Sequence, residues 1–374
     1  MFKMLSVVVG LVAIRLAISY AWAVAVELRE KPASKLPVVG IALTANHATA
    51  AVRWPNGTFE NLGRVEASRA YVKMMERLSL RSSMHLTWVA GSMYLRNCVL
   101  MMCSRPYGSM EDMWDDIPRA LWRNVRKKLG LAGSGDAAIL AKMLKATTKM
   151  AEKKLGFRVW VIQSFPPLFA LYQEHVADAA EYIGLRALSN DVRYQMHELT
   201  AAYAGHGMGL DESDVELVTR GKKPHEYGGR HTVLVEYTET AILLHGEPMV
   251  HAHNIANVEY HARSSFELGS SSLASEEQVC DFVLEYLRKV YHGYTQYPFV
   301  YPKEFTVIMT GSAESVGREE IRAAIAEAVR LFGFQARILY SDPEYVAARG
   351  AAEIAWRTLL EAKKKKKKKK KTEL

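Results

Sequence analysis

Two sets of short strand-like runs, one in each half of the chain, limit the folds open to it. In the first half the runs are Leu36 to Leu43, Ala48 to Arg53 and Thr58 to Leu62, parted by Ala45-Asn46-His47 and by Pro55-Asn56-Gly57. Asn-Gly takes positive φ readily, so this spacing predicts a three-stranded meander with a tight hairpin at Asn56-Gly57. The second half repeats the pattern at Thr232 to Tyr237, Thr240 to Leu244 and Met249 to Ala256. After the first set, Ile139, Leu140, Met143, Leu144, Thr147 and Ala151 trace one face of a helix over 137–154,. A strand from Val159 to Gln163, a helix from Phe169 to Gly184 and a helix from Glu198 to Gly205 follow. After the second set come a helix from Ser275 to Tyr291, a strand from Phe305 to Met309, a helix from Arg318 to Phe332 and a helix from Pro343 to Ala362. A meander followed by alternating helices and strands, twice over, predicts an α/β protein of two lobes, each a mixed sheet flanked by helices. The 374 residues, 49% apolar and 24% charged, suffice for two packed cores,.

The formal net charge of +9 is matched by the nine lysines from Lys363 to Lys371, which leaves the body neutral. No nucleic-acid partner is expected, because a basic face on the folded part would be needed. The lysine run repels itself and reads as a solvated, extended tail over 363–374; contact with an anionic membrane or a nuclear import signal are its sharper readings. The final Lys371-Thr372-Glu373-Leu374 differs by one residue from the Lys-Asp-Glu-Leu retrieval signal,. At the other end, residues 4–26 are hydrophobic and interrupted by Arg15 alone, so 1–28 reads as a signal peptide or a membrane anchor,. Together the two ends predict the secretory pathway, in the lumen or membrane of the endoplasmic reticulum, with the cytoplasm as the alternative. Asn56-Gly57-Thr58 would then also be a glycan acceptor. Cys98, Cys103 and Cys280 are too few for a disulfide framework and lack metal spacing,. His245, His251, His253 and His261 read as polar strand-face positions, so no metal site is expected.

Tyr340-Ser341-Asp342-Pro343-Glu344 runs into Val346-Ala347-Ala348-Arg349-Gly350-Ala351-Ala352 and follows the strand-turn Val307-Ile308-Met309-Thr310-Gly311-Ser312. Taken with His197-Glu198-Leu199-Thr200-Ala201-Ala202, this resembles the nucleotide-binding domain of the heat-shock-protein-70 chaperones, within the actin-like ATPase superfamily. The resemblance implies a two-lobed, ribonuclease H-like fold with a first lobe over 36–200 and a second over 201–362, closed by a crossing C-terminal helix. It implies a reduced second lobe, because the interval from Gly269 to Gly311 is short, and it includes no peptide-binding domain. Residues 70–130, rich in Met, Trp and Arg, match no part of that pattern.

The resemblance also implies ATP and Mg²⁺ as cofactors, and here the residues disagree with it. Phosphoryl transfer needs bare backbone at the phosphates and carboxylates for the metal. The family's first loop, Asp-Leu-Gly-Thr-Thr, falls on Ala42-Leu43-Thr44-Ala45-Asn46, which lacks both the acid and the glycine,. The second, Asp-Leu-Gly-Gly-Gly-Thr, falls on Glu236-Tyr237-Thr238-Glu239-Thr240, which has no glycine. Glu239 would face a triphosphate, where each like-charge pair at about 4 Å costs roughly 4 kcal/mol. The positional matches for nucleotide contact are therefore Thr44, Ala45, Glu236, Thr238, Thr310, Gly311 and Ser312. Glu198 is the candidate catalytic residue, either orienting water or favouring the helix it begins. Gly311 also reads as a strand-to-helix turn, and Gly350 as a close helix contact. The resulting expectation is a pseudo-ATPase that binds an unidentified protein partner. A working chaperone-like ATPase and a scaffold tethered to membrane by residues 4–26 and Lys363 to Lys371 are the alternatives.

Overall fold

The computed structural model describes residues 37–83, 117–185, 196–210, 230–249, 252, 262–291 and 304–372. β1 (Val38–Leu43), β2 (His47–Arg53) and β3 (Phe59–Glu66) form an antiparallel meander, and β4 (Trp160–Phe165) and β5 (Met196–His197) continue the sheet in parallel beyond β1. The order is β3-β2-β1-β4-β5. β6 (Arg230–Tyr237), β7 (Ile242–Met249), β8 (Ala262–Ser265), β9 (Glu304–Gly311) and β10 (Gln335–Leu339) build a second sheet whose order, β8-β7-β6-β9-β10, repeats the first. Two mixed five-stranded sheets of one topology, flanked by helices, make the two-lobed α/β architecture.

The local chemistry explains the elements. β1 is buried at every position because helices cover both faces, and its sequence is accordingly a continuous apolar run,. Gly57 at the first hairpin has φ +92°, and its N–H donates to the Trp54 carbonyl at 3.0 Å. α1 (Arg69–Leu78) starts at Ser68, whose side chain accepts from the Tyr71 amide,. After α2 (Ile117–Lys128), α3 (Gly135–Leu155) is capped by Ser134 and stopped by Gly156 in the left-handed conformation,. α4 (Gln173–Tyr182) and α5 (Glu198–Gly205) complete the first half. α6 (Glu276–Tyr291) opens with reciprocal Ser275 and Gln278 bonds, a capping box,. α7 (Ala313–Gly317), α8 (Glu319–Leu331) and α9 (Val346–Thr372) follow.

Three cores result. One lies between the first sheet and α1, α3 and α4, and another between the second sheet and α6 and α8. The third lies between the sheets, where α5 and α9 pack together against Val38 and Ala42 of β1, Leu234 of β6 and Ile308 of β9. The C-terminal helix thus lies on the first sheet, so close that a Cβ on Gly40 would stand 2.0 Å from the Ala348 carbonyl oxygen.

Several boundaries differ from the sequence reading. The run Met249 to Ala256 is not a separate strand: β7 continues to Met249, and the third strand of the second meander is Ala262–Ser265. Within β7, a Cβ on Gly246 would stand 2.7 Å from both the Tyr286 and the Tyr291 hydroxyl. α4 begins at Gln173 rather than Phe169, and α9 at Val346 rather than Pro343. The lysine run expected to be extended continues α9 as helix to Thr372, since lengthening an anchored helix avoids nucleation and lysine is a good helix former. β10, which the pattern did not suggest, pairs in parallel with β9 as an edge. Among the described residues no helix is long and apolar enough to cross a membrane; residues 4–26 lie outside them.

Candidate functional site

The tips of the two equivalent hairpins meet between the lobes, and both are built alike. In the first, the Thr44 amide and hydroxyl both donate to the His47 carbonyl at 2.9 Å. In the second, the Thr238 amide donates to the Ala241 carbonyl at 3.0 Å, and the Ala241 amide to the Thr238 hydroxyl at 3.2 Å. Each threonine therefore closes a four-residue turn whose tip pair, buried Ala45-Asn46 or half-buried Glu239-Thr240, meets the other lobe.

Two carboxyl groups of β6 and its hairpin take up the donors at this junction. Glu236 Oε1 accepts the Ala45 amide at 2.6 Å across the lobes. Glu239 Oε2 accepts Asn46 Nδ2 at 2.5 Å and the Ser312 hydroxyl at 2.6 Å, and Arg64 Nη2 lies 3.4 Å from its other oxygen. Burial works against ionisation of Glu239, but the bonds from Ser312 and Asn46, aided by its own amide and Arg64, hold it at about 2,. Arg64 on β3 ties the junction further, with Nη1 2.7 Å from Glu344 and Nε 2.6 Å from Glu66.

Beneath the hairpins Glu236 meets Glu198, the first residue of α5. They are 0% and 1% exposed, so no substrate reaches either as the molecule stands. Burial pushes Glu236 well above the ordinary 4.5, and the neighbouring Glu198 pushes it further. Burial also raises Glu198, partly offset by its hydrogen bonds with Glu236 and Thr310. Two acids in one dry space disfavour each other's ionisation, so both carboxyls are shifted toward the neutral form,. Glu198 is the first residue of α5, and burial holds its carboxyl toward the neutral form.

The remaining predicted positions fall around the same junction with structural tasks. Thr310 ends β9 beside Glu198. Gly311 has φ +112°, and a Cβ there would stand 2.2 Å from the Tyr237 carbonyl oxygen; its amide donates to the Pro343 carbonyl at 3.2 Å. Ser312 donates its amide to the Tyr237 carbonyl at 3.1 Å as well as its hydroxyl to Glu239. Asn46 and Arg64 join the site although sequence reasoning did not single them out. Asn46 was legible as a hairpin-tip residue; nothing in the pattern marks Arg64, whose three acidic neighbours come from β3, the second hairpin and the turn before α9.

A magnesium nucleotide does not fit these residues. Ala42 offers no metal ligand, and the hairpin-tip amide of Ala45 is taken by Glu236. Glu239 brings a firmly ionised carboxylate to where phosphates would lie. Among the described residues no group of three or more His, Cys, Asp or Glu is placed to hold a metal ion. His245 is not on the surface but fully buried on β7, its ring centroid 6.0 Å from that of His197, because the central core covers that strand face. His251, His253 and His261 lie outside the described residues.

Replacing Glu236 by Gln separates the buried acid's two effects. A carboxyl whose folded value lies above 4.5 costs stability as pH rises, since the unfolded chain ionises first; below that value the cost vanishes,. Glu236→Gln is therefore expected to melt with the wild type near about pH 4 and above it near about pH 8, measured by thermal denaturation. A wild-type melting temperature that does not fall on the alkaline side would contradict the upward shift of the buried Glu236 carboxyl.

No protein-family model and no curated protein matches the chain. Among solved structures it is similar to the ethanolamine utilization protein EutJ from Carboxydothermus hydrogenoformans, with 10% identity over 84% of this chain and 89% of that one at a TM-score of 0.40. It is also similar to a non-polymerising MamK mutant bound to AMPPNP, with 11% identity over 86% and 99% at a TM-score of 0.44. A protein with actin-like ATPase fold and unknown function from Bacteroides thetaiotaomicron VPI-5482 is 10% identical over 86% and 96%, at a TM-score of 0.36. These likenesses concern overall shape, and none of them bears on what the chain binds.

Proposed function

We propose that the chain is a pseudo-ATPase of the heat-shock-protein-70 type, whose closed two-lobed body acts as a protein-binding module of the secretory pathway. The observation that carries this reading is Glu239: its carboxylate, gripped by Asn46, Ser312 and Arg64, supplies the negative charge that a polyphosphate would otherwise bring between the hairpins. A nucleotide entering would have to displace it, strip Ala45 of its bond to Glu236, and do so without an acid at Ala42 to hold Mg²⁺. The closed form needs no ligand, so partners meet a fixed surface rather than one switched by hydrolysis.

Calorimetric titration of the full chain with ATP or ADP and Mg²⁺ is expected to give no binding heat, and melting is expected to be unmoved. A bound nucleotide at about 100 times its dissociation constant would add roughly 2.7 kcal/mol of stability. Saturable heat, or a rise in melting temperature that requires both nucleotide and Mg²⁺, would instead establish a nucleotide-binding ATPase. Delivery to the secretory pathway is read by a glycan on Asn56, which is exposed at its hairpin tip; an Asn56 left bare in secreting cells counts against it.

A further inference from the structure

α2 presents its faces the wrong way round for a helix on a soluble body. Its sequence, IPRALWRNVRKK, contains Arg119, Arg123, Arg126, Lys127 and Lys128 and no acid. Arg123 and Lys127 face inward: Arg123 Nε lies 2.5 Å from Asp178 and Nη1 2.8 Å from Glu174, while Lys127 Nζ lies 3.0 Å from Asp178 and 2.5 Å from Glu181. The apolar side chains face outward. Leu121, Trp122, Val125 and Leu129 are 60, 62, 44 and 69% exposed and form one stripe along the helix,.

The helix cannot turn over to hide that stripe. Glu174 and Asp178 on α4 have side chains only 4% exposed, and rotating α2 would leave both as unpaired buried charges. Breaking such a buried pair typically costs about 3–5 kcal/mol. The orientation is therefore fixed by ion pairs, and the stripe stays outside.

The edges of the stripe indicate what covers it. At 100° per residue Lys128 borders one edge and Arg126 the other. Lys128 is exposed, and Arg126 donates Nε to the Ala132 carbonyl at 2.9 Å. A short apolar band carrying Trp, bounded on both sides by cations and free of acids, matches the headgroup region of an anionic bilayer, which takes apolar side chains below and cations at the phosphate level. We infer that α2 is an interfacial helix by which the body lies on an anionic lipid surface. This contact is independent of residues 4–26 and of the lysine run, and of whether nucleotide binds.

The test follows the stripe itself, since other parts of the chain can hold it to vesicles. Val125→Cys is labelled with an environment-sensitive dye in the full chain, with Cys98, Cys103 and Cys280 changed to Ser. On vesicles containing phosphatidylserine the dye is expected to shift to the blue and to escape aqueous iodide quenching, and Leu121→Glu with Leu129→Glu is expected to abolish both effects. The inference is overturned if the dye keeps its aqueous spectrum on vesicles that retain the chain. It is equally overturned if the dye is already in apolar surroundings without lipid, which would mean that a second copy or the protein itself covers the stripe. A shift of the same size on pure phosphatidylcholine overturns the requirement for anionic lipid.

Discussion

Gly350→Ala is expected to destabilise the protein by more than about 3 kcal/mol, at the upper end of what overpacking costs. Helix propensity alone would give the opposite sign, since Ala is better than Gly inside a helix by about 1 kcal/mol. Packing wins because of what the new methyl meets. A Cβ on Gly350 would stand 1.7 Å from the Ala201 carbonyl oxygen and 2.5 Å from the Gly205 amide nitrogen. Both are backbone atoms of α5, which cannot swing aside as a side chain would. On the same seam, a Cβ on Gly205 would stand 2.0 Å from the Val346 carbonyl oxygen, so the two helices have no slack on either side. Separating them opens the central core, where α5 and α9 fill the space between the sheets. The measurement is the urea midpoint of Gly350→Ala beside Gly135→Ala, whose Cβ meets nothing within 4 Å. The second variant should be neutral or slightly more stable; a Gly350→Ala midpoint equal to it would rule out the contact.

The second large effect concerns Glu239. Its carboxyl is held at about 2 against an ordinary 4.5. A depressed folded value means that the stabilisation is complete above about pH 4.5 and is lost as pH falls toward about 2,. Taken at face value the shift corresponds to about 3 kcal/mol, but the side chain is 34% exposed, and solvent screening reduces the expectation to about 1–2 kcal/mol,. Glu239→Gln should therefore lose about that much at neutral pH and converge on the wild type in acid, where both carry a neutral group. Glu239→Ala should lose more, because Asn46 Nδ2 and the Ser312 hydroxyl are then left without their acceptor,. Wild-type and Glu239→Gln melting curves that run parallel from neutral to acid pH would show that the carboxylate contributes no ionic grip.

Much of the scaffold was legible because it rests on local chemistry. The Asn56-Gly57 turn, the Ser275–Gln278 capping box, the buried run of β1 and the small-residue face at Gly350 each state their own conformation. The missed elements are those whose conformation comes from a distant partner. β10 is an edge strand with half its side chains outside, so its pattern is weak until β9 lies beside it. β7 runs beyond Leu244 to Met249 through Gly246, where two tyrosines of α6 pack, and those do not reveal themselves in the strand's own residues.

The site divides in the same way. That Ala42–Asn46 and Glu236–Thr240 hold no glycine, and that residue 42 is not an acid, are facts of the sequence. What those residues do instead could not be read there. In the sequence Glu239 reads as a charge that would repel a triphosphate; the folded chain brings Asn46, Ser312 and Arg64 to it from three separate elements and makes it a clasp. Likewise Glu198 and Glu236 are ordinary acids until α5 and β6 set them together out of water. Residue types determined which interactions were possible and which were lost, because bonding capacity belongs to the side chain. Their signs and strengths were decided by tertiary structure, because burial and the nearest charge are properties of the assembled space.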